Sequence, residues 1–470
     1  MASRERMSAA DAAWLHMDRP TNLMVVNAVI WFDAPLDWDA VAKIVDERLV
    51  RRFPRFRQRV VESALPLAGP LWEDDPGFAL EDHIHHVALP APGSTQALQD
   101  FVGELMSVPL ARTKPLWHMY FVDGYGEGCA TVMRIHHCIG DGIALARVLL
   151  SLTDESGEGL DLAARADPAE HRQGLTGLIE TLTRPVAAGR HAVDAIVYEG
   201  IEVLTHPSKL RDIATLGRDD AAALAKLMFT PPDIRTVFSG PGVISKRAVW
   251  TDPIPLADVK AVGRPVHATV NDVLLAAVSG AIGRYLERRG GTVDNLRTIV
   301  PFNIRPLGEP LPPTLGNKFG LIFLDLPVGM RDPMQRLAEL TRRMEVVKHS
   351  PEAAVSYGLL SGIGLTPADV EKQVIDFFTA KASAVMTNVP GPREPVHMAG
   401  VRVAGVIPWV PRSGDIPIGL SIFSYAGQVV VGLAVDAALV PEPEAILTGM
   451  EEQLRTLQRL SAPRRAATTG

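Results

Sequence analysis

Hydrophobic residues recur along the chain at two spacings, one typical of helices and one typical of strands. Val41, Ile44, Val45 and Leu49 fall on one helical face, which predicts an amphipathic helix over 38–52. The run Met24–Phe32 is rich in β-forming residues and predicts a strand. The two patterns alternate through residues 1–153, so this region is predicted to form a mixed α/β unit.

The remainder of the chain divides into two further regions. Residues 154–232 are rich in Ala, Leu and Arg with helical periodicity, which predicts a helical crossover that ends at Pro231 and Pro232. Residues 233–470 return to the mixed pattern, with predicted helices over 271–289, 333–348 and 441–460. At 470 residues the chain is too long for one ordinary core. We therefore predict an N-terminal domain over 1–153, a linker over 154–232 and a C-terminal domain over 233–470.

Composition narrows the class of partner. The formal net charge is −7 and no long Lys/Arg run occurs, so we expect no nucleic-acid partner. The two cysteines, Cys129 and Cys138, suit a reducing cytoplasm. Because the N-terminus carries charges of both signs, we predict no signal peptide. The sequence has no long uncharged apolar stretch, so we also predict no transmembrane helix. Composition leaves peripheral contact with lipid open.

The candidate chemistry lies in one stretch, His136–Gly142, here called the motif loop. It follows the apolar run Cys129–Ile135, a predicted buried strand, and precedes a predicted helix over 143–152. Neighbouring side chains of a strand point to opposite faces, so His136 and His137 are expected to have different roles. Three interpretations fit the residues: two ordinary histidines, half of a metal site, or a general base, since neutral imidazole accepts protons near neutral pH. Asp141 is either a third catalytic group or an anchor of the loop.

Two other places carry polar residues of interest. Thr269–Asp272 fits a capping box at the start of the predicted helix, in which Asp272 is a cap and Asn271 lies in the first turn. His83, His85 and His86 lie in a polar context, and we expect them to face solvent.

The motif loop has the form His-His-x-x-x-Asp-Gly, and further motifs accompany it in a fixed order. These are Phe78–His83, Leu89–Gly93, Pro115–Trp117, Val270–Leu274, Val300–Arg305, Gly316–Asn317 and Asn388–Pro392. The set resembles the bacterial wax ester synthase/diacylglycerol acyltransferase family over roughly residues 8–460, within the CoA-dependent acyltransferase superfamily. The resemblance implies two chloramphenicol acetyltransferase-like domains, each a mixed sheet with flanking helices, joined by a helical crossover.

The resemblance also implies an activity and its residues. The expected reaction moves a long-chain acyl group from acyl-CoA, a co-substrate, to a fatty alcohol or diacylglycerol, with no metal and no cofactor. His137 would be the general base and His136 would orient the site. Asp141 would pair with Arg305 or, alternatively, Arg134. Gly142, Asn271 and Asp272 are expected to support the site.

Two other functions fit the same sequence. One is an acyltransferase that takes its acyl group from a carrier-protein thioester, as condensation domains do. The other is a non-catalytic protein that binds lipid surfaces. The location implied is the cytoplasm, with peripheral contact at the inner membrane face or the lipid-droplet surface as an open alternative.

Overall fold

The computed structural model describes residues 4–63, 69–155, 218–303, 312–348, 350–363 and 368–462. Its helices are α1 (Ala9–His16), α2 (Trp38–Val45), α3 (Thr95–Met106), α4 (Gly142–Leu150), α5 (Arg218–Phe229), α6 (Leu256–Gly263), α7 (Val270–Arg288), α8 (Pro333–Lys348), α9 (Glu352–Ile363), α10 (Ala368–Thr379) and α11 (Pro443–Ser461). Its strands are β1 (Arg4–Arg6), β2 (Val25–Phe32), β3 (Gln58–Val61), β4 (Leu71–Asp74), β5 (Ile84–Ala88), β6 (Trp117–Tyr125), β7 (Gly128–His136), β8 (Lys246–Trp250), β9 (Ile254–Pro255), β10 (Leu296–Asn303), β11 (Phe319–Leu326), β12 (Ala384–Pro390), β13 (His397–Met398), β14 (Val401–Trp409), β15 (Ile418–Tyr425) and β16 (Gln428–Asp436).

The first large sheet holds the motif loop at the end of its strand β7. Its strand order is β13-β14-β2-β7-β6-β5, in which β5 and β6 are parallel and the other pairs are antiparallel. Every residue of β2 and of β7 is buried. Because β7 lies between two neighbours and is covered on both faces, the position of its last residue, His136, is well fixed.

Strand β14 joins this first sheet although it belongs to the C-terminal half of the chain. Its residues Val403–Trp409 run antiparallel to Asn27–Phe32 of β2. Gly405 lies so close to Trp31 that an added Cβ would come within 2.1 Å of the indole ring. Only a residue without a side chain fits at this crossing, so the two halves of the chain are interlocked by backbone pairing and by close packing.

The second large sheet has the order β11-β10-β12-β15-β16-β8, with β9 paired to β16. Strands β10, β12 and β15 are mutually parallel, and the remaining pairs are antiparallel. Helix α7 is buried through most of its 19 residues, and its apolar side chains pack in the same core as those of this sheet. A small third sheet, β1-β4-β3, lies outside these two.

The mixed α/β class and the two sheet-containing units are confirmed, and most predicted elements are found within a few residues of their predicted bounds. The capping box is present: the side chain of Thr269 accepts from Asp272 N and the side chain of Asp272 accepts from Thr269 N. Helices α6, α9 and α10 were not predicted. Most of the predicted crossover, residues 156–217, lies outside the described residues, whereas its last part forms α5.

One property bears on the predicted absence of a membrane span. Within the described ranges, no single helix combines the length and the hydropathy needed to cross a bilayer, although the bent pair Leu256–Val266 and Val270–Arg288 does so jointly across a bend of 96°.

Candidate active site

The motif loop connects β7 to α4, and its two ends are held by local hydrogen bonds. His136 is the last residue of β7, and its backbone N–H donates to Leu116 O over 2.9 Å. Asp141 is the N-cap of α4, where its Oδ1 accepts from Ala144 N over 2.8 Å. The sequence folds this way because an aspartate satisfies an otherwise free N–H group of a helix start.

His136 is directed into the protein and its ring is held by the loop itself. The side chain is 1% exposed, and its Nδ1 accepts from Cys138 N over 3.2 Å. The proton of the neutral ring must therefore sit on Nε2, which lies 3.9 Å from Asp18 Oδ2. Burial lowers the pKa of His136 to about 3, so the ring is neutral at neutral pH. These contacts fit the expected orienting role.

His137 lies just beyond the strand, and its ring contacts two aromatic side chains that also contact each other. Trp14 of α1 stacks on it at a centroid distance of 4.2 Å, and Phe319 of β11 lies at 5.5 Å. Burial lowers the pKa of His137 to about 4. Its Nδ1 is buried and, among the described residues, has no hydrogen-bond partner. The result is a neutral imidazole with unused hydrogen-bonding capacity at the junction of the two halves.

Asp141 joins the motif loop to the C-terminal half of the chain. While Oδ1 caps α4, Oδ2 accepts from Lys318 N over 3.0 Å. Of the two arginines considered as its partner, Arg305 lies outside the described residues. Arg134 directs its guanidinium to the carbonyl oxygen of Val108. Both carboxylate oxygens of Asp141 thus accept hydrogen bonds from backbone N–H groups, which suits a role as an anchor of the motif loop.

The segment Gly316–Phe319 approaches the motif loop from the C-terminal half, and sequence reasoning gave it no role. Gly316 N donates to Ile139 O over 3.1 Å, and Asn317 Nδ2 donates to His137 O over 2.7 Å. Gly316 has a φ of +80°, a backbone conformation that glycine adopts without strain. The Gly-Asn pair before a strand was the one available signal. For the contacts of Trp14 and Asp11 on α1, the sequence offered no signal other than the pattern of a helix start.

The predicted supporting residues are placed as follows. Gly142 begins α4, and a Cβ added there would make an ordinary contact with Val410 at 3.6 Å. Asp272 Oδ2 accepts from Thr269 N, and burial raises the pKa of this carboxyl. Asn271 is 5% exposed, and both of its amide atoms lack partners among the described residues. Among the described residues, no hydrogen bond joins Asn271 or Asp272 to the motif loop. Their supporting role therefore stays a prediction.

An apolar cavity begins at the motif loop. It encloses about 780 Å³, including its opening to solvent, and Gly142 forms part of its wall. The other walls come from α4, β2, β14, β12 and β15, and almost every lining side chain is aliphatic, aromatic or proline. The apolar lining of this cavity suits a hydrocarbon chain. In the described part of the chain, no group of three or more His, Cys, Asp and Glu residues is arranged to hold a metal ion.

Two sheet-bearing units with a His-His-x-x-x-Asp-Gly loop at their junction define an acyltransferase of the two-domain type. The family described as the wax ester synthase/diacylglycerol acyltransferase catalytic domain matches residues 7–274, and the WS/DGAT C-terminal domain matches residues 315–458. The chain belongs to the wax ester synthase/diacylglycerol acyltransferase family. The predicted resemblance is therefore confirmed.

Individual relatives agree with this assignment. The Mycobacterium tuberculosis protein named probable diacylglycerol O-acyltransferase tgs1 is 28% identical over 470 residues, which cover 98% of this chain and 97% of that one. The wax ester synthase/diacylglycerol acyltransferase from Marinobacter aquaeolei VT8 has a similar structure, with a TM-score of 0.67, 21% identity and coverage of 97% and 100%. The first condensation domain of the calcium-dependent antibiotic synthetase shares the fold, with a TM-score of 0.58, 15% identity and coverage of 99% and 97%.

Proposed function

We propose that this acyltransferase moves a long-chain acyl group from acyl-CoA to the hydroxyl of a fatty alcohol or diacylglycerol, with His137 as general base. The observation that carries the proposal is the position of His137, a neutral buried imidazole at the junction of the two halves. The apolar cavity that begins at Gly142 supports a long hydrocarbon chain as part of the substrate.

In the proposed reaction, neutral His137 takes the proton of the alcohol O–H as the oxygen attacks the thioester carbonyl. A C–O bond forms and gives a tetrahedral intermediate. The intermediate then expels CoA thiolate as the C–S bond breaks, and the imidazolium returns its proton to the sulfur. The products are an ester and free CoA, and no covalent acyl-enzyme forms. His136 orients the loop, and Asp141 holds it against the segment around Lys318.

The test uses purified protein with palmitoyl-CoA and either hexadecanol or dioleoylglycerol, and it measures released CoA thiol. We expect release from the wild type and a loss of about 100-fold or more in His137→Ala, the scale of general-base catalysis. His86→Ala, which changes an exposed histidine, is the matched control and should stay fully active. Full activity of a folded His137→Ala variant would contradict the assignment.

The same assay separates the other candidate functions. If the wild type releases no CoA with either acceptor but transfers an acyl group from an acylated carrier protein, the donor is a carrier thioester. The name of the M. tuberculosis relative, a probable diacylglycerol O-acyltransferase, favours ester formation with diacylglycerol as acceptor, and the assay identifies the acyl donor.

The proposal includes peripheral contact with a lipid surface, because its substrates and products are poorly soluble in water. Three large apolar side chains are exposed on one patch: Phe229 by 66%, Ile234 by 54% and Phe377 by 40%. The buried Lys381 connects two of their segments, since its Nζ donates to Leu227 O over 2.6 Å and lies 3.8 Å from the Phe377 ring centroid. The backbone N–H of Asp233 donates to Ala380 O over 3.0 Å, which brings Ile234 to the same place. An exposed patch of this kind supports lipid contact, which vesicle sedimentation measures.

A further inference from the structure

Four consecutive residues of the C-terminal half contact the motif loop, each in a different way. Gly316 pairs with the backbone beside Gly140, and Asn317 reaches His137 O. Lys318 N donates to Asp141, and the Phe319 ring lies near the His137 ring. The loop that carries the candidate base is therefore completed by a segment that lies about 180 residues further along the chain.

The side chain of Asn317 is the centre of this contact. Its Nδ2 donates to His137 O over 2.7 Å and to Asp11 Oδ1 over 2.8 Å, and its backbone N donates to the same Asp11 oxygen over 3.0 Å. Both neighbours of Nδ2 are acceptors, so the amide orientation is fixed: a flipped amide would place oxygen against a carboxylate and a carbonyl. Ser8 Oγ donates to the other Asp11 oxygen over 2.6 Å, so the carboxylate is itself held.

The consequence falls on the backbone of His137. Its N–H donates to Met24 O over 2.7 Å, and its C=O accepts from Asn317, so both polar groups of this residue are pinned. Helix α1 supplies Asp11, which holds Asn317, and also Trp14, which stacks on the imidazole. One short helix thus controls the carbonyl of His137 through Asn317 and its ring through Trp14.

We propose that Asn317, held by Asp11, is a positioning residue that sets the imidazole of His137 against the reacting hydroxyl. The inference rests on the proposed role of His137 as general base. The hydrogen bond of Asn317 to the motif loop is made to the backbone carbonyl of His137. Asn317 acts by holding the carbonyl of His137, and a misplacement of about 1 Å at a catalytic group can cost about 100-fold in rate.

The test compares Asn317→Ala with Asn22→Ala. Asn22 is the matched control, since its buried amide also donates to a backbone carbonyl in the C-terminal half, Gly414 O over 2.9 Å. Both variants should lower the melting temperature, whereas only Asn317→Ala should lower kcat, by about 10- to 100-fold, with KM for acyl-CoA within about twofold. A kcat of Asn317→Ala within threefold of wild type, or an equal loss in Asn22→Ala, would overturn the proposal.

Asn317→Asp keeps the size of the side chain and decides the matter if Asn317→Ala fails to fold. The new carboxyl would lie beside Asp11 and, when ionised, could not donate to His137 O. Carboxyl groups this close share a proton and take up a second one only at lower pH. We expect kcat relative to wild type to be low at pH 8 and to rise as the pH falls. A ratio near one, or one that does not change with pH, overturns the proposal. An inactive wild type would instead count against the proposed function.

Discussion

Burial determines the protonation state of His137. An unperturbed histidine has a pKa of about 6.5, and burial lowers that of His137 to about 4. The imidazole is therefore fully in its basic form at neutral pH. The Nδ1 atom of the same ring is buried and has no hydrogen-bond partner among the described residues.

A pH–rate profile tests this state of the base. The proposed mechanism requires unprotonated His137, so it predicts that kcat/KM is lost as the pH falls through the pKa of His137 in the free enzyme. With the pKa lowered to about 4, we expect kcat/KM to stay level from pH 8 down to about pH 6 and to fall only at lower pH. Circular dichroism at each pH separates this fall from acid unfolding. If kcat/KM instead falls with a midpoint at or above pH 6.5, burial does not set the pKa of the group that acts as base.

Sequence reasoning at the residue scale succeeded where the pattern was local. Strand alternation separated His136 from His137, and the two rings indeed have different surroundings. It failed for His83, which was expected to face solvent but is 1% exposed and stacks on Trp117. It also gave Asn317 no role, because that role depends on contacts with residues 11 and 137 that no local pattern encodes.

At the scale of elements, α4 is the unit that links the motif loop to the cavity. Asp141 caps its first turn and also accepts from Lys318 N. Leu145 and Leu149, further along the same helix, form part of the cavity wall. The start of α4 therefore holds the loop, and its body forms one wall of the apolar cavity.

The double role of Asp141 predicts a larger loss than that of an ordinary cap. Asp141→Ala removes a cap, worth about 1 kcal/mol, and a buried hydrogen bond to a charged group, worth about 1.5–3 kcal/mol. Asp37→Ala is the matched control, since Asp37 caps α2 at an exposed site through Asp39 N and Ala40 N. We expect a loss in the free energy of unfolding of about 2.5–4 kcal/mol for Asp141→Ala and about 1 kcal/mol for the control, measured in urea. Asp141→Ala should also lower kcat. Equal losses of stability would argue against the second role.

Element prediction was good where periodicity was strong and poor where it was weak. Helix 333–348 was predicted at its observed bounds, since Leu337, Leu340 and Met344 mark a buried stripe. Helix α9 was missed because its sequence, Glu352–Ile363, mixes apolar and small residues without a clear stripe. Such a segment is recognised only from its packing, here through Val355 and Leu359.

At the scale of the molecule, the proposed lipid contact rests on the exposed apolar patch formed by Phe229, Ile234 and Phe377. The exposed Arg235, next to Ile234 in sequence, has no carboxylate partner among the described residues, whereas Lys381 is 1% exposed and donates to helix carbonyls. Exposed apolar side chains beside an exposed cation are suited to anionic phospholipid, and Arg235 would supply that cation.

Sedimentation with phospholipid vesicles tests this surface. We expect wild-type protein to bind phosphatidylglycerol-containing vesicles, and a Phe229→Ser, Phe377→Ser double variant to bind at least about fivefold more weakly, because it loses buried apolar area. Val346→Ser with Leu460→Ser is the matched control, since those side chains are exposed by 57% and 55% on other helices. Equal weakening in both pairs, or no binding by the wild type, would remove this patch from the proposal.

The sequence predicted two sheets, but it did not predict which half of the chain supplies each strand of a sheet. The pattern of 401–407 predicts a strand, and β14 is found there. This strand pairs with β2 of the first sheet, which lies about 370 residues earlier in the sequence. Local periodicity carries no information about a pairing between such distant segments.

The pairing of β14 with β2 has a consequence for recombination between relatives. The two family regions, 7–274 and 315–458, are separated by a short stretch where a gene fusion would be expected to cut. In a chimaera joined there, β14 of one relative would have to pair with β2 of another. The position opposite Trp31 would then have to be glycine. The two regions are thus not modular, and a chimaera needs a matched strand face as well as a matched Gly316–Phe319 segment.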